Sequence, residues 1–171
     1  MKTCQVYYIQ KMDVNTYYHI YNRANGSENL FRKDENYGYF LKKWGEYISP
    51  VADTYAYCLM PNHFHFLVKI KTEVELKDLT GFENLSGLLK QPFSNLFNGY
   101  AKAYNNMYNR KGSLFQRPFK QKPIDSEAYL KEVIFYIHHN PVHHGFTKQM
   151  EDWPYSSFPA LLTNRLTRAC L

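Results

Sequence analysis

The stretch MPNHFHFLVK (60–69) constrains this chain more than any other. Pro61-Asn62 stands as a tight turn signal between two runs of β-formers, DTYAYCLM (53–60) and HFHFLVKI (63–70), which is the pattern of a β-hairpin. Alternate residues of a strand point to opposite faces. Phe64 and Phe66 then anchor 63–70 in a core, while His63 and His65, about 6.6–7 Å apart along the strand, share the other face. Strand stability needs no pair of imidazoles. Two readings compete: a hydrogen-bonded or solvent-facing pair, the common fate of His-x-His, or two ligands to a first-row divalent metal with coordination positions left open.

The elements around the hairpin follow from periodicity. NTYYHIYNRA (15–24) reads as a strand that ends in the turn-prone NGSEN. DENYGYFLKKWGEYI (34–48) repeats Tyr37, Phe40, Leu41, Trp44 and Ile48 at helical spacing, with Asp34 as the expected N-cap. A polar segment over 71–84 crosses over. A helix is predicted from Ser86 to Arg110 on the face Leu85, Leu89, Leu96, Tyr100, Ala103 and Met107, with Pro92 breaking it or occupying a first turn. RKGSLFQRPFKQKPID (110–125) is a basic loop entering an edge strand, because its prolines exclude a central one. Asp125-Ser126-Glu127 starts a helix expected to run to about His139, where Pro141 ends it. DWPYSSFPALL is expected to pack a short final helix. The order predicts one α+β domain over 1–171: an antiparallel sheet with helices mainly on one face.

Composition enters at the question of partners. The chain has 21 Lys and Arg against 15 Asp and Glu, a formal charge of +6, and it carries 16 Tyr and 12 Phe. Cations that meet phosphates and rings that stack on bases suit nucleic-acid binding; a basic protein with tyrosines at its core edges has the same composition. Cys4, Cys58 and Cys170 are too few and too widely spaced for a disulfide framework or zinc knuckle, which points to a reducing cytoplasm. The first residues hold no apolar core of signal-peptide length, and no stretch approaches the roughly 18 apolar residues of a membrane helix.

The second chemical feature is YIHHNPVHHG (136–145). On a helix over 126–139, Tyr136 and Asn140 lie at i, i+4 on one face, with Tyr129 two turns earlier. Asn140, next to Pro141, is placed at the helix end, either as a C-terminal cap or as an amide oxygen free to bind a hard metal. A divalent ion polarises a phosphate oxygen during in-line displacement. A phenol titrates near about pH 10, so it needs help to attack, yet its phenolate is a fair leaving group. Attack on DNA by such a group would give a phosphotyrosine that a free hydroxyl could later displace.

YCLMPNHFHFLVK, YAKAYNNMYNRKGSLFQRPFK, YIHHNPVHHG and DWPYSSF, with YHIYNRANGSENLF before them, resemble in order the IS200-like single-tyrosine transposases, including the relatives associated with repetitive extragenic palindromes. The resemblance covers about residues 14–162. It implies a ferredoxin-like core and a histidine–hydrophobe–histidine motif that binds Mg2+ or Mn2+. It further implies a nucleophilic tyrosine that cuts hairpin-bearing single-stranded DNA, leaving a 5′-phosphotyrosine and a free 3′-hydroxyl. Carried over, His63 and His65 are metal ligands, Tyr136 is the nucleophile, and Asn140 takes the place of a third polar ligand. Tyr129 is the competing nucleophile. The segment 71–92 is longer than the usual crossover, and Ser113, Pro118, His143 and His144 depart from common family residues.

For DNA contact the basic positions are Arg23, Arg110, Lys111, Arg117, Lys120 and Lys122, with Phe115 and Phe119 either stacking on unpaired bases or anchoring their loop. His143 and His144 are expected to be solvated. A catalytically inactive or domesticated nucleic-acid-binding relative and a metal-dependent nuclease that uses water are the alternatives. Monomer and homodimer both stay open, with a homodimer favoured.

Overall fold

The structure, a computed structural model, describes residues 11–80 and 89–163. Its elements in chain order are β1 (Tyr17–Arg23), α1 (Asp34–Ile48), β2 (Ala52–Met60), β3 (His63–Ile70), α2 (Glu73–Thr80), α3 (Gln91–Met107), β4 (Lys120–Ile124), α4 (Glu127–His143) and α5 (Phe158–Leu162), with a 3-10 turn at Met150–Asp152. The strands form one antiparallel sheet in the order β2-β3-β1-β4, the ferredoxin-like arrangement of a β-α-β-β-α-β chain. Among the described residues β4 pairs only with β1, so Pro123 lies on an edge strand, as the prolines require. Among the described residues no helix is long and apolar enough to cross a membrane.

Alternation along β3 divides the molecule. Phe64, Phe66, Val68 and Ile70 join Tyr18 and Ile20 of β1 in the main core, under α1 and α3. Leu67, with Ala56, Cys58 and Met60 of β2 and Ile124 of β4, faces the other way and meets Val133 and Ile137 of α4. Two long helices thus cover one face, and α4 lies across the other, with Trp153 packed beside it. That split decides where chemistry can sit: His63 and His65 share the α4 face with Tyr17, His19 and Tyr21.

Trp44 is the centre of the main core. It is fully buried, stacks on Phe66 at 3.5 Å between ring centroids, and donates its indole N–H to Thr54 Oγ1 at 3.0 Å. Trp44→Ala is expected to cost about 3–5 kcal/mol of stability, read as a lowered urea midpoint with the slope unchanged.

Two boundary expectations and one face position are corrected. Asp34 is the first helical residue of α1 and not its cap; the backbone N–H groups of Arg32 and Lys33 are taken instead by Asn36 Oδ1, at 3.0 and 3.2 Å. Asn36 is three residues into the helix, where a side chain reaches back to the cap. α3 begins at Gln91 with Pro92 in its first turn, while Leu85 and Ser86 lie outside the described residues. Its buried face is Phe93, Leu96, Phe97, Tyr100 and Tyr104, and Met107 is 64% exposed. Tyr104 takes the inner position because its hydroxyl donates to the Asn29 carbonyl, an anchor that methionine lacks.

The segment after α4 closes the sheet. Leu59 N–H donates to the Tyr155 carbonyl and Ser157 N–H to the Tyr57 carbonyl, so 155–157 runs along the free edge of β2. His138 of α4 contacts Ser157 Oγ at 2.7 Å, tying that segment to the helix. α4 is therefore held from both sides against the sheet face that carries the histidines.

Candidate active site

α4 starts where the sequence indicates, with Ser126 Oγ accepting the Tyr129 N–H at 3.2 Å. It does not stop at Pro141. The helix runs on to His143 and closes in a Schellman motif: Gly145, at φ 71°, donates to the Val142 carbonyl, and Phe146 N–H to the Pro141 carbonyl. Gly145 is the terminator because the left-handed conformation suits glycine. Pro141 only removes one ladder donor in the last turn. Asn140 consequently lies within the helix, 2% exposed, and its Nδ2 donates to the Tyr136 carbonyl at 2.7 Å. That bond fixes the amide and leaves Oδ1 buried beside His63, with no hydrogen bond of full geometry.

Tyr136 is 48% exposed on the same helix face, above the sheet. Its ring meets His65 edge-on at 5.3 Å and His19 at 5.9 Å between centroids. His63 and His65 lie 5.2 Å apart, nearly perpendicular. His63 Nδ1 contacts Asn62 Oδ1 at 2.7 Å, and His65 Nδ1 contacts His19 Nε2 at 3.0 Å, so Nε2 is the second nitrogen of each ring. Asn140 is near enough to His63 to favour its protonated form. The rings open on a cleft of about 290 Å3 whose wall includes Tyr21, Arg23, Gln116, Lys120, Tyr136 and His144.

Comparison with known proteins gives the family and the fold. The family model for IS200-like transposases fits residues 13–140. The chain belongs to that family. A Haemophilus influenzae protein named as a REP-associated tyrosine transposase is 29% identical over 108 residues, covering 62% of this chain and 58% of that protein. The chain thus spans somewhat more than half the length of this curated relative. A solved REP-associated tyrosine transposase, bound to a REP hairpin, has the same fold, with a TM-score of 0.67 and 19% identity over 94% of this chain and 87% of that one.

In this IS200-like chain the predicted residues separate clearly. His63, His65, Tyr136 and Asn140 converge, and Arg23 and Lys120 line the cleft beside them. Arg110 does not line it. Its guanidinium is engaged by Glu28, Asn105 and the Ser113 carbonyl, bracing two loops against each other. Arg117 bonds Asn98, Lys122 lies over the Tyr129 ring at 4.6 Å, and Lys111 is exposed outside the cleft wall. Phe115 is core, and Phe119 packs on Phe93 and Phe97; both anchor their loop. His144 is exposed, as expected, and its ring also meets the His63 ring at 5.2 Å, because the helix runs two residues past Pro141 to His143. His19 and Tyr21 escape a reading of motifs. Their one signal is alternation from the start of β1, which places 17, 19, 21 and 23 on one face.

The residues fit the metal that the resemblance implies. A buried amide oxygen beside His63 that no donor meets in full hydrogen-bond geometry has capacity for a further partner. Among the described residues no group of three His, Cys, Asp or Glu is placed to hold a metal ion, so the third protein donor would be this amide. Two imidazoles and one oxygen suit a divalent first-row ion with open positions.

Burial keeps these imidazoles neutral. Desolvation, with smaller repulsion from Lys122, lowers His19 to about 4; desolvation, with His144 and Arg23, lowers His63 to about 4; His65 is pushed well below the ordinary value, mainly by burial. His138, against α5, is lowered to about 4 by burial as well. Above pH 6.5 both folded and unfolded chains hold these rings neutral. As pH falls from about 6.5 towards 4, the unfolded chain takes up protons that the folded one excludes, so stability falls in that window. His19, His63 and His138 are each expected to remove up to about 3 kcal/mol by pH 4, visible as a falling melting temperature between pH 7 and 4.

Proposed function

We propose that this chain cleaves and rejoins hairpin-bearing single-stranded DNA through a covalent intermediate on Tyr136, with Mg2+ or Mn2+ held by His63, His65 and Asn140. The observation that carries the reading is an exposed tyrosine ring set against His65, in the same chain, over a cleft walled by Arg23 and Lys120. The REP hairpin bound to the solved relative supports hairpin DNA as the partner.

The two cations draw the strand's phosphates into the cleft, and Lys111, Arg117 and Lys122 extend positive charge beyond it. Tyr136 Oη attacks phosphorus, the Oη–P bond forms, and the bond from phosphorus to the 3′-oxygen breaks. The phenol gives up its proton, and the departing 3′-oxygen takes one. What a divalent cation supplies when bound is polarisation of a non-bridging phosphate oxygen. The Asn140–Tyr136 backbone bond keeps the third ligand and the nucleophile one turn apart on a single rigid helix. Rejoining is the reverse, with a 3′-hydroxyl displacing the phenolate. One chain supplies every group named, so a homodimer is not needed to complete the site.

The test is incubation with a hairpin-bearing single-stranded oligonucleotide and Mn2+, followed by a denaturing gel. A protein–DNA species that disappears with chelator is the expected result. Undiminished cleavage in chelator would contradict the metal assignment.

A further inference from the structure

His19 has no part in the chemistry above, yet it is one of the few buried polar residues, at 7% exposure, and its contact is with a proposed ligand. On β1 it stands opposite Leu67, while His65 stands opposite Tyr21; the two imidazoles are diagonal neighbours on the α4 face of the sheet. Nε2 of His19 and Nδ1 of His65 are 3.0 Å apart, and His65 is itself only 6% exposed. Tyr21 and Tyr136 hold the His19 ring from two sides, at 4.8 and 5.9 Å between centroids.

We propose that His19 is a positioning residue: it accepts a hydrogen bond from Nδ1 of His65 and thereby presents the Nε2 lone pair of His65 to the cleft. The proposal rests on the metal reading of His63 and His65. Two ring nitrogens at this distance share a single proton. If that proton belongs to His19, His65 must carry its own proton on Nε2 and shows the cleft an N–H, which binds no metal. If it belongs to His65 Nδ1, Nε2 is a free donor to a cation, and His19 keeps its proton on Nδ1. His63 shows the same logic, with Asn62 Oδ1 accepting from Nδ1. A leucine at position 19 would fill similar space and leave Nδ1 of His65 buried without a partner, its ring free to adopt the wrong tautomer.

Binding of Mn2+ to the full chain, followed by the electron paramagnetic resonance of the free ion, is the first readout. His19→Leu is expected to weaken binding about 10–100-fold. His19→Gln, whose amide oxygen can replace Nε2 as acceptor, should stay within a few-fold of the unaltered protein. Unchanged affinity in His19→Leu overturns the proposal, and so does an equal loss in both variants. Absence of Mn2+ binding by the unaltered protein, or binding that survives His63→Ala, overturns the metal reading and this proposal with it. Nitrogen-15 NMR of the unaltered protein at saturating Mg2+ depends on no variant folding. It should show the proton on Nδ1 of His65; a proton on Nε2 of His19 overturns the assignment.

Discussion

Tyr136→Phe is expected to abolish the covalent protein–DNA adduct, by at least about a thousandfold, with hairpin affinity essentially unchanged. The substitution removes one oxygen and keeps the ring that packs on His19 and His65. Tyr136 is half exposed, so stability should move by no more than about 0.5 kcal/mol. Adduct on a denaturing gel and hairpin binding by fluorescence anisotropy separate chemistry from recognition. Tyr129→Phe is the matched control. Tyr129 lies seven residues earlier on α4, under Lys122 and outside the cleft wall, and its loss should leave adduct formation intact. An adduct that persists in Tyr136→Phe and disappears in Tyr129→Phe would reverse the assignment.

His63→Ala and His65→Ala should each reduce cleavage about a hundredfold or more and weaken Mn2+ binding, yet they should differ in stability. His63 is half-buried at the turn end of β3, next to the cleft. Its loss removes a ligand and little packing. His65 is buried, and truncating it leaves Nε2 of His19 without its partner, a cost of about 1–3 kcal/mol. Thermal melting in chelator isolates that difference, because the metal then contributes nothing to either protein. Equal melting temperatures for the two variants would mean that the His19–His65 contact carries no stability.

Much of the fold can be read from local pattern. The Pro61-Asn62 hairpin, the helical repeat of 34–48 and the proline-marked edge strand are short-range signals, and each element lies within a residue or two of where those signals put it. The pairing of His63 with His65 needs only strand alternation. What stays hidden is what distant segments decide. His19 meets a partner 46 residues away through sheet register, and Arg110 meets Glu28 across 82 residues, turning an expected DNA contact into a loop brace. Pro141 misleads because a proline weighs against helix at the residue before it. Here the Gly145 closure and the Asn140 side-chain bond outweigh that preference. The extra turn is what brings His144 to His63.

The central claim is that Tyr136 itself forms the bond to DNA. The most direct measurement is mass spectrometry of the adduct after nuclease trimming and proteolysis, from a reaction with hairpin-bearing single-stranded DNA and Mn2+. The predicted result is a nucleotide mass added to the peptide containing Tyr136, located on that residue by fragmentation. Cleaved DNA with no modified peptide, the signature of hydrolysis by water, or a nucleotide mass on Tyr129, would contradict it.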